Sequence, residues 1–200
     1  MNTNLSTLKK IFPEPPNGNY NGLKVDEEGL YSITHPKEAD LISKTIIDII
    51  GRTDMQIIDM TAGCGGNIIS FIKYFKFVIG IEFDKVRYNI LKENLNKYPN
   101  KNYQLLCGDA TKFISNNYDN MDDDNIIFFI DPPWGGPDYK NNLNIELYLS
   151  NIKIEDFILT LPKNKLIVLK LPFNYNIENI KLKIIKKILI NNILIVFIKI

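Results

Sequence analysis

Two cysteines, Cys64 and Cys107, and one histidine, His35, are all that the 200 residues offer as soft metal ligands. They are too few for a disulfide framework and too scattered for a zinc set, so disulfide-stapled and zinc-dependent classes are excluded. A reduced, intracellular setting is expected. Charge of neither sign is in excess: 24 basic against 23 acidic residues leave a net charge of +1. A chain so balanced does not hold long nucleic acid by charge alone, and a nucleic-acid partner is expected to be gripped at one end or one nucleotide. Long apolar runs are missing too, since stretches such as residues 193–198 fall far short of a membrane span. The start, Met1-Asn2-Thr3-Asn4-Leu5-Ser6, lacks the basic-then-apolar pattern of a secretory signal. A soluble monomer without membrane or metal is expected, with no internal repeat and a length that fills one ordinary domain.

What is present is an alternation. Residues 1–35 read as an N-terminal arm, in which Pro13, Pro15, Pro16, Gly18 and Gly22 stand among Asn and Tyr without periodicity to about residue 23. Residues 36–200 read as the domain. Thr34 or His35 as cap and Pro36 in the first turn start a helix whose Ala39, Ile42, Ile46, Ile47 and Ile50 recur at helical spacing, closing near Gly51. His35 is accounted for as a cap or a solvent-facing residue. Strands are predicted over 55–60, 77–81, 103–107 and 126–130, with helices over 67–72 and 85–97 between them. That rhythm gives a parallel sheet covered by helices on both faces. Residues 145–161 are expected to supply helical turns and 165–171 a fifth strand. Residues 182–190 and 193–200, separated by Asn191-Asn192, form a hairpin. The expected fold is therefore α/β and Rossmann-like: a mostly parallel seven-stranded sheet with a C-terminal antiparallel hairpin, the ordering of class I S-adenosylmethionine-dependent methyltransferases.

Acids close the first three strands. Asp59 precedes the turn Met60-Thr61-Ala62-Gly63-Cys64-Gly65-Gly66, whose glycines let a ligand approach the backbone and whose following helix start supplies free N–H groups. The Gly-x-Gly-x-x-Gly spacing of a dinucleotide site is not met. An acid just before such a loop suits a cationic ligand, so Asp59 is the candidate for the amino group of a methionine moiety. Glu82 is placed to accept both ribose hydroxyls, and Asp109 to accept from an adenine amino group while the Ala110 N–H meets the ring. Each acid alone serves equally well as a strand-end cap. Three around one Gly-rich loop point to S-adenosylmethionine, with Asp59, Ala62, Gly63, Gly65, Glu82, Asp109, Ala110 and Asp131 as the cofactor residues.

The fourth strand ends in Asp131-Pro132-Pro133-Trp134-Gly135-Gly136-Pro137-Asp138-Tyr139. Asp-Pro-Pro-Trp resembles the catalytic tetrapeptide of amino-group methyltransferases. The longer run, with residues 24–34 (Lys24 to Thr34), is similar to the trimethylguanosine synthase family, which methylates the exocyclic N2 of 7-methylguanosine RNA caps. The similarity runs from about Gly22 to the C-terminus. It implies that Asp131 and the Pro132 carbonyl accept the hydrogens of a delocalised, poorly nucleophilic amine, and that Trp134 stacks on the cationic base. It further implies that Tyr139 and Lys24 reach the cap phosphates. The product is then 2,7-dimethylguanosine, or 2,2,7-trimethylguanosine if a second methyl follows. One departure stands out: Leu171-Pro172 is followed by Phe173 where the family tends to have a basic residue, so a phosphate contact is missing or replaced by Lys170 or Lys163. Two other readings stay open, an adenine-N6 or other nucleic-acid amino-methyltransferase and an inactive cap-binding homologue.

Overall fold

A computed structural model describes residues 3–117, 121 and 125–200. Met1 and Asn2, the start of the expected arm, lie outside the described residues. The strands form a seven-stranded sheet in the order β3-β2-β1-β4-β7-β9-β8, and a two-stranded β5-β6 pair stands apart from it. By residue range β1 is Gln56–Asp59, β2 Phe77–Glu82, β3 Tyr103–Cys107, β4 Ile126–Ile130, β5 Tyr148–Leu149, β6 Ile152–Lys153, β7 Leu166–Pro172, β8 Lys183–Ile190 and β9 Ile193–Lys199. The chain divides into two compact units, one ending at Gly108 and one beginning at Asp109.

In the first unit the arm is more regular than its sequence suggests. Leu5–Ile11 is a helix, α1, started by the Asn4 side chain, which accepts from the Thr7 N–H at 2.8 Å, and it buries Leu8 and Ile11. Two turns are too short for a periodicity to register, so the cap and the burial decide the structure. Glu27–Ser32 is a second short helix, α2, capped by Asp26. Pro36–Ile50 is α3, with His35 at its N-cap and Gly51 closing it, and Ala39, Ile42 and Ile46 fully buried. The parallel pairs follow: β1 runs beside β2 with Asp59 opposite Gly80, and β2 beside β3 with Glu82 opposite Cys107. Helices α4 (Gly66–Tyr74) and α5 (Lys85–Leu95) complete the alternation.

In the second unit α6 (Ala110–Asn117) precedes β4, all five of whose residues are buried. A strand buried on both faces reads as a continuous apolar run. Strand β4 pairs with β7 in parallel, β7 with β9 antiparallel, and β9 with β8 antiparallel. Asn191 takes a φ of 55° in the turn joining β8 and β9, a left-handed conformation that Asn tolerates. The expected helical turns over 145–161 are mostly something else: the β5-β6 hairpin, one turn of helix α7 (Ile154–Phe157) and a 3-10 turn at Ile158–Thr160. Ser150 at φ 54° breaks any helix there. Among the described residues no helix is long and apolar enough to cross a membrane, and no group of three or more His, Cys, Asp and Glu is arranged to hold a metal ion.

Candidate active site

The first unit carries the glycine-rich loop between β1 and α4. Asp59, fully buried at the end of β1, accepts the Thr61 N–H at 3.0 Å, and the Ala62 N–H donates to the Ile81 carbonyl. Glu82 then fixes the loop from the neighbouring strand: one carboxylate oxygen accepts the Gly63 N–H at 2.8 Å and the other the Asp84 N–H at 2.9 Å. Burial pushes the Glu82 carboxyl up, opposed by those two N–H groups. A side chain added at Gly63 would meet nothing nearer than the Thr61 carbonyl at 3.9 Å, so the loop presents bare backbone to open space beside two carboxylates. That donor set fits S-adenosylmethionine: acids for an ammonium and a ribose diol, and a backbone free of side chains for close approach. A carboxylate has about four lone-pair sites, so Glu82 retains capacity after binding the two N–H groups.

Behind the loop lies a network that the sequence reading missed. Arg87, on α5, reaches Asp26 at 3.0 Å, Glu28 at 2.6 Å and Glu82 at 3.7 Å. It ties helix α2 of the arm to the strand-end acid. The fully buried Asn94 makes a second tie, accepting the Lys24 N–H at 2.8 Å and donating to the carbonyls of Lys24 and Cys64, each at 2.9 Å. Cys64 sits 3.5 Å from Asp26, and burial pushes its thiol up to about 12. Lys24, expected at the cap phosphates, is half-exposed with its ammonium 2.5 Å from Glu93.

The second unit carries the loop after β4. Asp131 lies one residue beyond the Ile130–Leu169 pair of the β4-β7 ladder, which sets it beside Lys170; the two meet at 2.6 Å. Lys170 keeps 3% of its exposure and Asp131 17%. Burial pushes the Asp131 carboxyl above its ordinary 3.8 while the adjacent ammonium pulls it back. The sequence reading offered Lys170 as a substitute phosphate contact; the structure corrects this, because its ammonium is buried against Asp131. Lys163 is exposed. Gly135 and Gly136, at φ 84° and 89°, turn the loop back through a conformation closed to most residues. The turn brings Tyr139 edge-on to Trp134, with ring centroids 5.0 Å apart. Trp134 is half-buried, with the Lys170 ammonium 5.2 Å from its ring centroid. Asn174 holds the loop by donating to the carbonyls of Tyr139 and Asn142 at 3.0 and 2.7 Å. Pro132 is buried and Pro133 exposed.

Asp109 opens this unit and caps α6: one oxygen accepts from the Thr111 N–H, the Thr111 hydroxyl and the Ser150 hydroxyl at 2.7 to 2.9 Å. Burial raises its carboxyl, but these donors outweigh that and hold it below the usual value. Ala110, the first residue of α6, is buried. The structure thus gathers Asp59, Ala62, Gly63, Gly65 and Glu82 in one unit and Asp131, Pro132, Trp134 and Tyr139 in the other.

Comparison with known proteins bears on the family and the fold. A family model described as RNA cap guanine-N2 methyltransferase matches residues 54–199. An uncharacterized protein of Acanthamoeba polyphaga mimivirus is 30% identical over 88% of this chain and 77% of its own. The trimethylguanosine synthase of Schizosaccharomyces pombe is 36% identical over 66% of this chain, a match spanning 62% of the yeast protein. Among solved structures, a T. thermophilus 16S rRNA N2 methyltransferase in complex with AdoMet and guanosine superposes with a TM-score of 0.56 at 16% identity, covering 91% of this chain and 45% of that one.

Proposed function

The chain belongs to the RNA cap guanine-N2 methyltransferase family and uses S-adenosylmethionine, and on that premise we propose that it methylates the exocyclic N2 of a 7-methylguanosine cap. The observation that carries the reading is the loop after β4: a largely buried carboxylate held by a buried lysine, beside a half-exposed indole braced by Tyr139. Bound S-adenosylmethionine supplies an electrophilic methyl on a sulfonium. Asp59, Glu82 and the Gly63 backbone hold it in this reading, with Asp109 and Ala110 assigned to the adenine.

The exocyclic amine of guanine is a weak nucleophile because its lone pair is delocalised into the ring. The Asp131 carboxylate and the Pro132 carbonyl accept its two hydrogens, which fixes the nitrogen's orientation. As positive charge builds on nitrogen these acceptors bind more strongly, so they favour the transition state over the ground state. Asp131 then takes the proton that the nitrogen sheds. Lys170 opposes the burial that pushes the Asp131 carboxyl up, and so favours its ionised form; without it, burial alone would favour the neutral acid. Trp134 discriminates between caps, since N7 methylation puts a formal positive charge over the indole face, worth roughly 0.5–2 kcal/mol. Tyr139 fixes the indole's tilt, and Lys24 is assigned to the cap phosphates in exchange for Glu93.

Incubation with S-adenosylmethionine and 7-methylguanosine triphosphate, followed by mass spectrometry, tests the reading. A mass gain of one methyl supports it, and a gain of two extends it to the trimethyl cap. Methylation of an adenine oligonucleotide in preference to the cap, or of neither, would overturn it.

A further inference from the structure

The chain is nearly neutral, yet residues 179–200 hold Lys181, Lys183, Lys186, Lys187 and Lys199 and no Asp or Glu. Strand β8 is the edge of the sheet. Lys183, Lys186, Lys187 and Lys199 are exposed, and none has a carboxylate partner among the described residues. The register makes the cluster tighter than the sequence shows. Lys183 stands directly opposite Lys199, and the irregularity between Ile184 and Lys186 sets Lys186 opposite Phe197. Lys183, Lys186 and Lys199 therefore share one face, while Lys187, opposite Val196, lies on the other. Edge lysines are a common guard against strand pairing with another chain. That explains β8 but not Lys199, which sits on the inner strand β9 facing a like charge, a destabilising arrangement unless an anion lies between them.

A second observation links this edge to the acceptor loop. Phe173 is 46% exposed at the end of β7. Its N–H donates to the Asn192 carbonyl at 3.2 Å, in the turn of the β8-β9 hairpin. Its neighbour Asn174 donates to Tyr139 and Asn142 of the acceptor loop. A bare phenyl ring thus stands between the loop and the lysine-bearing hairpin. Strand β8 lies two strand spacings from β7, about 10 Å, and its lysines lie farther down the strands, Lys186 level with Val168 and Lys183 with Leu166, roughly 15–25 Å from the Phe173 end. An aromatic platform followed by a basic track is what single-stranded nucleic acid binds without base-specific readout.

We propose that RNA following the cap leaves the acceptor loop over Phe173, stacking a base on the ring, and lays its phosphates along the face that carries Lys183, Lys186 and Lys199. The inference rests on the cap-methyltransferase reading and extends it from the cap to the RNA body. It also gives Phe173 a purpose at the position where a basic residue is expected: a stacking contact in place of a phosphate contact.

The test compares 7-methylguanosine triphosphate with a capped, unstructured oligoribonucleotide as acceptors. Wild-type protein should show a lower KM for the capped RNA. A Lys183→Ala, Lys186→Ala, Lys199→Ala triple variant should keep its KM for the nucleotide, while its log–log salt slope for the capped RNA becomes shallower by about 2. Phe173→Ala should raise KM for the capped RNA about fivefold or more with the nucleotide unaffected, and Phe173→Trp should restore it. Equal KM values for the two acceptors in wild type would overturn the proposal. So would a triple variant that merely dimerises on size-exclusion chromatography with its salt slope intact, which would leave the lysines as edge guards. If wild type methylates neither acceptor, the cap reading has failed. Fluorescence anisotropy of a labelled oligoribonucleotide then judges the surface alone, with equal affinity for wild type and triple variant counting against it.

Discussion

Lys170 and Asp131 form a buried ion pair at 2.6 Å between neighbouring parallel strands, and the pair sits under the aromatic loop that ends β4. Removing one member leaves the other buried and uncompensated. Lys170→Met should destabilise the protein by about 3–5 kcal/mol near neutral pH. The lone carboxyl then titrates well above 3.8, so stability is fully present below that value and lost as pH rises through the raised folded-state value. Urea melts at pH 5 and pH 8 should therefore show a larger deficit at pH 8. For the same reason the acid limb of kcat/KM in the surviving protein should move to higher pH. A deficit independent of pH would mean that the lysine is simply a packing residue.

Trp134 should matter for turnover far more than for folding. It is half-buried on a loop, and its main ring neighbour is Tyr139. Trp134→Ala should abolish methylation of a 7-methylguanosine cap while shifting Tm by only a few degrees, as expected for a change of about 1 kcal/mol. Wild type should prefer the 7-methylated cap over the unmethylated one by roughly five- to thirtyfold through stacking, and Trp134→Phe should narrow that ratio. Measuring kcat/KM for both caps decides it, and equal use by wild type would refute the stacking role.

Glu82 holds the glycine-rich loop by the Gly63 N–H, so its loss should act before any ligand contact is counted. Glu82→Ala is expected to weaken S-adenosylmethionine by roughly 1.5–3 kcal/mol, at least tenfold in Kd by titration calorimetry. Glu82→Gln keeps one acceptor oxygen and should fall between the two. Unchanged affinity in the alanine variant would move the ribose contact elsewhere.

Asn94 joins the arm to the same loop through three hydrogen bonds from a fully buried side chain. Asn94→Leu leaves the Lys24 N–H and two carbonyls without that partner, and should cost about 2–4 kcal/mol. The arm should loosen first, so trypsin should cut after Lys24 faster than in wild type well below the melting temperature. Unchanged cleavage would show that the Arg87 contacts alone secure the arm.

The strand-end acids, the glycine loop and the C-terminal hairpin were legible because each follows from local chain chemistry: an acid or turn residue at the end of an apolar run. Lys170 was not. Its role is set by the β4-β7 register, which joins residues 39 positions apart, and an apolar run interrupted by one lysine reads equally well with that lysine in solvent. Asn94 was hidden for a similar reason, since a polar residue on a helix looks solvent-facing until the arm is seen to cover it. Helix α1 and the β5-β6 hairpin escaped because two-turn and two-residue elements carry no period to detect.

Strand β8 precedes β9 in the chain, yet β9 is the strand that lies against β7. Strand β8 makes no pair with β7, so it joins the sheet only through its successor. A two-residue turn closes a ribbon of this kind locally, on the microsecond scale typical of hairpins. The β8-β9 ribbon therefore joins the sheet through β9 alone, and β9 is the strand that walls Lys170 on the side away from β4.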